Sequence, residues 1–518
     1  ERAIKSFKES LDIFESSPIV HHQMAAIYKK EEKYNLALQH SKRAVELKGE
    51  KIWYLKQLAE LYDEKNNYQE AVKVYNQIIN LFPKDAETYY ELAKLHLYKE
   101  ELQKAIDTYD RLEKQVGINP KVINQKKRIY LKLNKVEQAA NEIKKLIEKN
   151  PQNLEYHRML AKIYTANDMN EKAVKTYEKI LEIKPDDGKT LLAMARHHKR
   201  NGDDQKAFEY LKRAFGDPNL DVDDKVKTLL SNYLVGGFKQ NNKEEAFALG
   251  EILVAKHPDE AKAHAVYGDF LYQDDQLKEA RKQYRQATNL DKDVYQVWEQ
   301  MLYIEWELED FDAMKSESNE ALTYFPNQPT LYLLNGIANV RLENYQEAVT
   351  KLESGLNLNI SQEQSKVQFY LNLADAHDHL EQYEQSGSFF EKALEVKPND
   401  PLILNNYSYN LALREEKLDK AEQMSQKSLS LKSENAAYLD TYGWIQYNKG
   451  NYQEAKKYVK KALNKSPEDP ELLDHYGDVL FKLGKKQEAI KHWQEALDNG
   501  SESDLIKKKI RDKTVYEE

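Results

Sequence analysis

The amino-acid sequence predicts an all-α solenoid, and three observations support that prediction. Small residues recur in steps of 34, apolar residues recur with helical spacing around them, and proline recurs at matching intervals. Charged residues make up 32% of the 518 and hydrophobic residues 41%, which suits helices with one buried stripe and one charged face. Because stacked repeats contact only their neighbours, this length does not require several domains.

The first series of small residues marks one helix in each repeat. Its regular part consists of Ala3, Ala37, Ala71, Ala105, Ala139, Ala173 and Ala207. After a longer step, the series continues with Ala246, Ala280, Ala313, Ala348, Ser386, Ala421, Ala455 and Ala489. Small side chains at a fixed point in each repeat allow two helices to approach closely.

A second series lies 12 residues before most members of the first. It consists of Ala25, Ala59, Ala93, Ala161, Ala195, Gly268, Gly336, Ala374, Gly443 and Gly477. Proline follows the second helix of many repeats, at Pro83, Pro151, Pro185, Pro258, Pro326, Pro398 and Pro467. Proline is compatible with the first turn of a helix but not with its interior, so each repeat is predicted to be helix–turn–helix.

This pattern resembles the tetratricopeptide repeat family over essentially the whole chain. The 34-residue period, the Gly or Ala of the first helix, the Ala of the second and the closing proline all match. The resemblance implies a right-handed superhelix of about 14 helix pairs. An orphan second helix at 1–16 precedes the pairs. A capping helix near 503–515 follows them, with a mostly charged outer face.

The chain is predicted to comprise two continuous arms and a cap. Residues 1–215 form a regular arm that starts inside a repeat, 216–500 a less regular arm, and 501–518 the capping helix and tail. Insertions at 216–224 and 359–366 interrupt the period, as points of bending or as tolerated surface loops.

Individual residues also depart from the pattern. Lys127 and Met301 stand where Gly or Ala is expected, and Gly236–Gly237 follow the first insertion.

Composition and motifs argue against catalysis. The absence of cysteine excludes disulfides, thiolate catalysis and cysteine-ligated zinc. The best metal candidate pairs Asp375 with His379 on one helical turn, but no third ligand accompanies them. We therefore expect no enzyme activity, no cofactor and no metal, which leaves recognition as the role.

In the resembled family, the first helix of each pair lines the concave face. Positions three before and one after its small residue point into the groove. The basic and amide residues that this rule selects in the first half are Lys56, Lys94, Asn124, Arg128, Arg158, Lys162 and Arg196. In the second half it selects Asp269, Asp375, Asn406, Asn410, Asp440, Trp444, Asp474 and Asp478.

The two halves also differ in net charge. Residues 1–200 hold 38 basic and 30 acidic residues, a net of +8, and the remainder holds 40 and 57, a net of −17. One hypothesis is that the N-terminal groove binds an acidic protein segment and the C-terminal groove a basic one. The alternative is that these charges only solvate the helices.

Aromatic and amide residues define further alternatives. Trp444 is either a peptide anchor or part of the core, whereas Tyr447 and Phe481 are predicted to be core residues. Asn372 and Asn410 occupy positions of a terminal-carboxylate clamp, but the accompanying Lys and Arg residues are absent. The acidic total argues against nucleic acid as a ligand.

The sequence thus predicts a protein-binding scaffold or adaptor. Its Lys-, Asn- and Tyr-rich composition and its ending over 472–497 resemble tetratricopeptide proteins of bacterial cell envelopes, many of which are lipoproteins. That resemblance implies a periplasmic or outer-membrane-associated role in assembly or transport, with a possible lipid anchor upstream of Glu1. The alternatives are a cytoplasmic adaptor or co-chaperone, and an accessory regulatory subunit of an enzyme. No segment is apolar enough to predict a membrane span.

Overall fold

A computed structural model describes residues 2–13, 16–234 and 243–516 of the chain. Every regular element in these ranges is a helix, and none of those helices has the length and apolarity that a membrane span needs. The described helices form two compact units, Glu1–Lys256 and His257–Glu518.

The first unit contains a single helix followed by seven helix pairs. Its helices are α1 (Arg2–Ile13), α2 (Pro18–Lys30), α3 (Tyr34–Leu47), α4 (Ile52–Glu64), α5 (Tyr68–Leu81), α6 (Ala86–Tyr98), α7 (Leu102–Val116), α8 (Pro120–Lys132), α9 (Val136–Lys149), α10 (Leu154–Ala166), α11 (Asn170–Ile183), α12 (Gly188–Arg200), α13 (Asp204–Gly216), α14 (Val222–Leu229) and α15 (Lys243–Lys256).

The second unit contains seven pairs and a final helix. Its helices are α16 (Ala261–Gln273), α17 (Leu277–Leu290), α18 (Tyr295–Glu307), α19 (Phe311–Tyr324), α20 (Pro329–Arg341), α21 (Tyr345–Leu356), α22 (Glu363–His379), α23 (Tyr383–Val396), α24 (Pro401–Leu413), α25 (Leu418–Leu431), α26 (Ala436–Asn448), α27 (Tyr452–Lys465), α28 (Pro470–Lys482), α29 (Lys486–Asp498) and α30 (Asp504–Asp512).

Within each unit the two helices of a pair pack together, and the second helix packs on the first helix of the following pair, except that α13 packs on α15 and not on α14. The 14 predicted pairs, the orphan helix and the capping helix are therefore confirmed in the described part of the chain. The cap α30 buries Ile506 in the same core cluster as Trp493 of α29.

Small residues occur where the two helices of a pair meet. A methyl group on Gly477 would lie 2.5 Å from the Trp493 ring, and one on Gly336 would lie 2.4 Å from Leu352. The large side chain lies four residues after the small residue of the second helix, so it fills the space that the glycine leaves. This packing explains both predicted series.

In every pair whose turn the structure describes, the turn between the two helices contains a residue in the left-handed conformation. Along the regular first unit these residues are Glu32, Asn66, Glu100, Asn134, Asp168 and Gly202, which are again 34 apart. A positive φ is costly for residues with a side chain, and Gly202 avoids that cost.

Two pairs correct the predicted register. The ninth pair keeps the 34-residue step, so its small-residue positions are occupied by Leu302 and Met314, both fully buried, and not by Met301 and Ala313. In the twelfth pair the corresponding residue of α24 is the buried Ser408. The α24–α25 turn holds an extra residue, and its Lys417 is left-handed. Counting back 12 residues from Ala421 therefore placed the small-residue position of α24 one residue too far along the chain.

The insertion at 216–224 is held firmly against its neighbours. Asp217 is 5% exposed and accepts a hydrogen bond of 3.0 Å from the Gly188 amide at the start of α12. Lys225, fully buried, donates to the carbonyls of Phe215 and Asp217 at 2.9 and 2.7 Å.

The seventh pair departs from the layered order. Helix α14 has only eight residues and continues as a π-helical segment, Leu230–Leu234, while α15 packs directly on α13. The predicted Gly236–Gly237 irregularity lies outside the described residues. The second insertion, at 359–366, buries Ile360, and its last four residues form the first turn of the longer helix α22.

Candidate protein-binding surfaces

The first helices of the pairs form the inner layer of each unit. Neighbouring first helices touch at α2–α4, α18–α20, α20–α22, α24–α26 and α26–α28. The layer whose members lie closer together is on the concave side, so the side chains of the first helices form the candidate groove.

Two predicted groove cations join adjacent repeats. Lys56 Nζ lies 3.1 Å from Asp85 and 2.5 Å from Glu87. Arg158 Nη2 lies 2.6 Å from Asp187, which precedes α12 as Asp85 precedes α6. Both cations stand three residues before the small residue of their first helix. Side chains at this position therefore help to hold one repeat against the next.

Asp187 shows how strongly such a junction is held. Burial disfavours its charged form, but hydrogen bonds from Thr190 and Arg158 outweigh that effect, so the pKa of Asp187 lies below its usual value. Its other oxygen accepts from the Thr190 amide at 3.2 Å and caps α12. Arg158 is therefore engaged within the protein.

On α8, α10 and α12 the residue one position after the small residue behaves differently. Arg128 and Lys162 are exposed, and no carboxylate in the described ranges lies within ion-pairing distance of them. Arg196 donates only to the Leu192 carbonyl of its own helix, at 3.3 Å. We call Arg128, Lys162 and Arg196, which are 34 residues apart on α8, α10 and α12, the basic row.

The irregular Lys127 adds to this positive field. Burial, together with the charges of Arg128 and Lys162, lowers the pKa of Lys127. Lys127 donates to Asn124 at 2.8 Å, which places that predicted groove amide beside the basic row. Lys127, Arg128 and Lys162 are thus three cations on two successive first helices whose like charges act on one another.

The positive character begins only at α8. Residues 1–100 hold 16 basic and 16 acidic residues, whereas 101–200 hold 22 and 14, a net of +8. Lys56 and Lys94 line a cavity of about 380 Å³ that also contains five carboxylates, from Glu60, Asp63, Glu64, Glu87 and Glu91. Lys94 itself pairs with Glu91 at 3.2 Å.

A second cavity, of about 340 Å³, lies between α12 and α14, and we call it the basic cleft. It is lined by Leu192, Ala195, Arg196, Lys199, Arg200, Leu211, Asp224, Lys227, Thr228, Ser231 and Asn232. Sequence reasoning found only Arg196 among its cations. The basic run Arg196–Arg200 in the sequence could have indicated a cluster of cations at this point. The position of Lys227 beside them depends on the irregular α14, which the sequence did not predict.

The C-terminal groove holds a third cavity, of about 220 Å³. The residues around it are Tyr409, Leu413, Glu415, Trp444, Tyr447, Asn448, Glu471, Asp474, His475, Asp478, Lys509 and Tyr516. Trp444 stacks on His475 and Tyr447 with ring centroids 4.1 and 4.7 Å apart. Trp444 is half-buried, so it belongs partly to the core and partly to the groove.

The predicted acidic residues of this groove already contact a cation of the same chain. Lys509 of α30 is 3% exposed and lies 2.9 Å from Asp474 and 2.7 Å from Asp478. Trp493 Nε1 also donates to Asp478, at 2.9 Å. Burial and the neighbouring Asp474 raise the pKa of Asp478 to about 6, although Lys509 opposes the shift.

The other predicted residues of the second unit are not brought together. Asp375 is half exposed and lies 3.7 Å from His379. No group of three metal-binding side chains occurs among the described residues. Asn406 and Asn410 are each one residue out of register, and the Asn410 side-chain oxygen is buried. Asp269 accepts a hydrogen bond from Tyr284 at 2.6 Å, so it supports packing.

Family comparisons agree with this architecture. Tetratricopeptide repeat models match residues 16–84, 56–120, 128–188, 238–293 and 367–400. A model described as anaphase-promoting complex, cyclosome, subunit 3 matches residues 414–496. The chain is a tetratricopeptide repeat protein. That fold is a scaffold for protein–protein interaction.

Individual relatives are distant. A TPR repeat-containing protein of Pseudomonas aeruginosa is 27% identical over 134 residues, which cover 25% of this chain and 21% of that protein. The match therefore spans about a fifth of that relative.

Three solved structures are similar over most of their length. A chain of the APC/C hetero-tetramer Cut9–Hcn1 is 14% identical, with 97% of this chain and 98% of that chain covered and a TM-score of 0.40. Yeast Tom70 is 16% identical, with 97% of this chain and 94% of Tom70 covered and a TM-score of 0.34. A chain of Naa15/Naa10 bound to HypK-THB is 15% identical, with 99% of this chain and 92% of that chain covered and a TM-score of 0.35.

Proposed function

We propose that this protein is a non-catalytic scaffold whose first unit binds an acidic segment of a partner protein along the basic row. One observation carries the proposal: Arg128 and Lys162 have no ion-pair partner among the described carboxylates, whereas Lys56 and Arg158, which stand three residues before the small residue, do. Cations of one sign along a concave wall attract an acidic chain and orient it.

The proposed setting is a bacterial envelope complex, in the periplasm or at the outer membrane, where the protein would serve assembly or transport. The resemblance in composition to envelope tetratricopeptide proteins supports the envelope, and the partial match to a Pseudomonas aeruginosa protein supports only a bacterial origin. Fractionation of native cells tests the setting, since recovery in the cytoplasmic fraction would favour a cytoplasmic adaptor or co-chaperone.

Charge reversal tests the binding surface. Partners captured by the wild-type chain are compared with those captured by R128E/K162E, using quantitative mass spectrometry. Partners with acidic segments are expected to be lost from the variant, because both exposed cations become anions. The matched control K144E/K175E reverses two exposed lysines of the second helices α9 and α11 and is expected to retain them. Equal capture by all three chains contradicts the proposal.

A further inference from the structure

The basic cleft is where the basic row ends. Arg196 belongs to both, because it is the last member of the row and also lines the cleft. On the far side of the cleft, α14 is held out of the regular stacking order by the insertion that Asp217 fixes to Gly188. The cleft is thus a built feature of the seventh pair.

Charge in the cleft is strongly unbalanced. Arg196, Lys199, Arg200 and Lys227 supply four cations, and Asp224 supplies the one carboxylate among the lining residues that the structure describes. None of the four cations has a described carboxylate within ion-pairing distance. Lys199 instead lies 5.6 Å from the Tyr233 ring centroid.

The chemistry of the lining favours a peptide over a nucleic acid. No aromatic side chain is among the lining residues of the described cleft, so bases would find no stacking surface. The volume of about 340 Å³ lies at the lower end of the range for ligand pockets, so the cleft has room for more than one side chain of a peptide. The amide of Asn232 adds a neutral polar group beside the cations.

Helical spacing defines the arrangement of the ligand's carboxylates. Arg196 and Arg200 are four residues apart on α12, which corresponds to a rise of about 6 Å. Alternate side chains of an extended peptide lie on the same side, about 6.6 Å apart. The two guanidinium groups therefore match carboxylates at alternate positions of an extended segment, with bidentate pairing available to each.

We propose that the basic cleft anchors one end of an acidic partner segment, in extended conformation, through Asp or Glu side chains at alternate positions. This inference rests on the proposed function and names the ligand chemistry at the end of the same surface. Lys227 faces the α12 cations from α14, so it contacts the segment from the opposite wall.

The test uses the whole chain and two fluorescein-labelled heptapeptides of equal composition. One has alternating Glu and Ala, and the other has its Glu residues in one block. Fluorescence anisotropy at low salt is expected to show tighter binding of the alternating peptide. R200E/K227E is expected to weaken that binding at least about tenfold. The control K144E/K175E, on the second helices α9 and α11 and with the same change in charge, is expected to change it less than about twofold.

Each outcome is decisive. Wild-type affinity in R200E/K227E, together with loss in R128E/K162E, overturns the cleft assignment and leaves the basic row standing. Equal affinity for both peptides overturns the alternate spacing. A single-stranded oligonucleotide that binds more tightly than either peptide overturns the choice of a protein ligand. Circular dichroism of every variant verifies that the helices are intact.

Discussion

Nδ1 of His475 on α28 lies 2.7 Å from a carboxylate oxygen of Asp440 on α26, and both side chains are buried. This pair joins the last two repeats directly beneath the stacked ring of Trp444. It also places a second positive group, besides Lys509, in a groove that the sequence predicted to be acidic. The C-terminal surface is therefore more nearly neutral inside than its predicted groove residues imply.

The His475–Asp440 pair makes the stability of the last repeats depend on pH. Burial alone would lower the pKa of His475, but Asp440, Glu471 and Asp474 raise it to about 9. The protonated form is favoured in the folded state. Its contribution is therefore fully present below pH about 6.5 and is lost as the pH rises through about 9.

Hydrogen exchange in α26 and α28 measures this dependence. Protection is expected to fall between pH 6.5 and 9, by about 1–3 kcal/mol of local opening free energy after correction for intrinsic exchange. The variant His475→Gln is expected to flatten the dependence. A slope that persists unchanged in the variant would assign it to other groups.

Glu305 is a buried acid that we expect to be neutral. It is fully buried on α18, and burial together with the neighbouring Glu317 raises its pKa to about 10, against the opposing effect of Arg281. Between pH 4.5, the ordinary pKa of a glutamate, and pH about 10, Glu305 thus keeps its proton in the folded state and loses it in the unfolded chain. Stability falls as the pH rises through this interval.

The substitution Glu305→Gln removes that dependence. Its amide imitates the protonated acid, and its carbonyl can still accept the 3.0 Å hydrogen bond from Arg281 Nε. We expect the second unit to gain about 1–2 kcal/mol at pH 8 in urea unfolding, with little change at pH 5. Destabilisation at both pH values would show that Glu305 is ionised and paired with Arg281.

Lys126 is the ionic centre of the fourth repeat. It is 1% exposed and lies 2.5, 2.7 and 2.9 Å from carboxylates of Asp110, Glu113 and Glu142, which belong to the second helices on either side. Lys126→Met leaves Glu113 and Glu142 with Lys145 as their remaining cation and is expected to cost about 1–3 kcal/mol in urea unfolding. The exposed Lys94→Met is expected to cost less than about 0.5 kcal/mol, and equal losses would contradict this ranking.

The left-handed turn residues give a prediction of opposite sign. Glu100 has φ of 57°, in a turn where the equivalent Gly202 has 76°. Glu100→Gly removes a conformational penalty of about 1–2 kcal/mol and adds unfolded-state entropy of about 0.5–1 kcal/mol. We expect a net gain of about 0.5–1 kcal/mol. Gly202→Ala should lose a similar amount, and a gain in both variants would exclude this explanation.

The repeat pattern predicted the fold because packing determines it. Gly477 must be small beneath Trp493, and such constraints recur in every repeat, so the pairs could be counted from the sequence. The register failed where a constraint was relaxed. Leu302 and Met314 fill both small positions of one pair, and Lys417 adds a residue to a turn.

The candidate surfaces were only partly predictable. Lys56 and Arg128 read alike as groove cations, but only Lys56 meets a carboxylate that precedes the next first helix. Lys509 lies 35 residues beyond Asp474, and nothing local in the sequence indicates that it reaches that groove. Such pairings depend on how consecutive helices superpose, which a 34-residue period does not specify.

The shifted seventh pair sets a limit on ligand length. The basic row occupies α8, α10 and α12, and the array of equivalent positions stops where α14 leaves the stacking order. A partner segment must therefore reach from α8 to α12 to meet all three cations of the row. A shorter acidic segment would reach only one end. The irregular repeat thus makes the surface selective for the number of residues a partner presents, in addition to their charge.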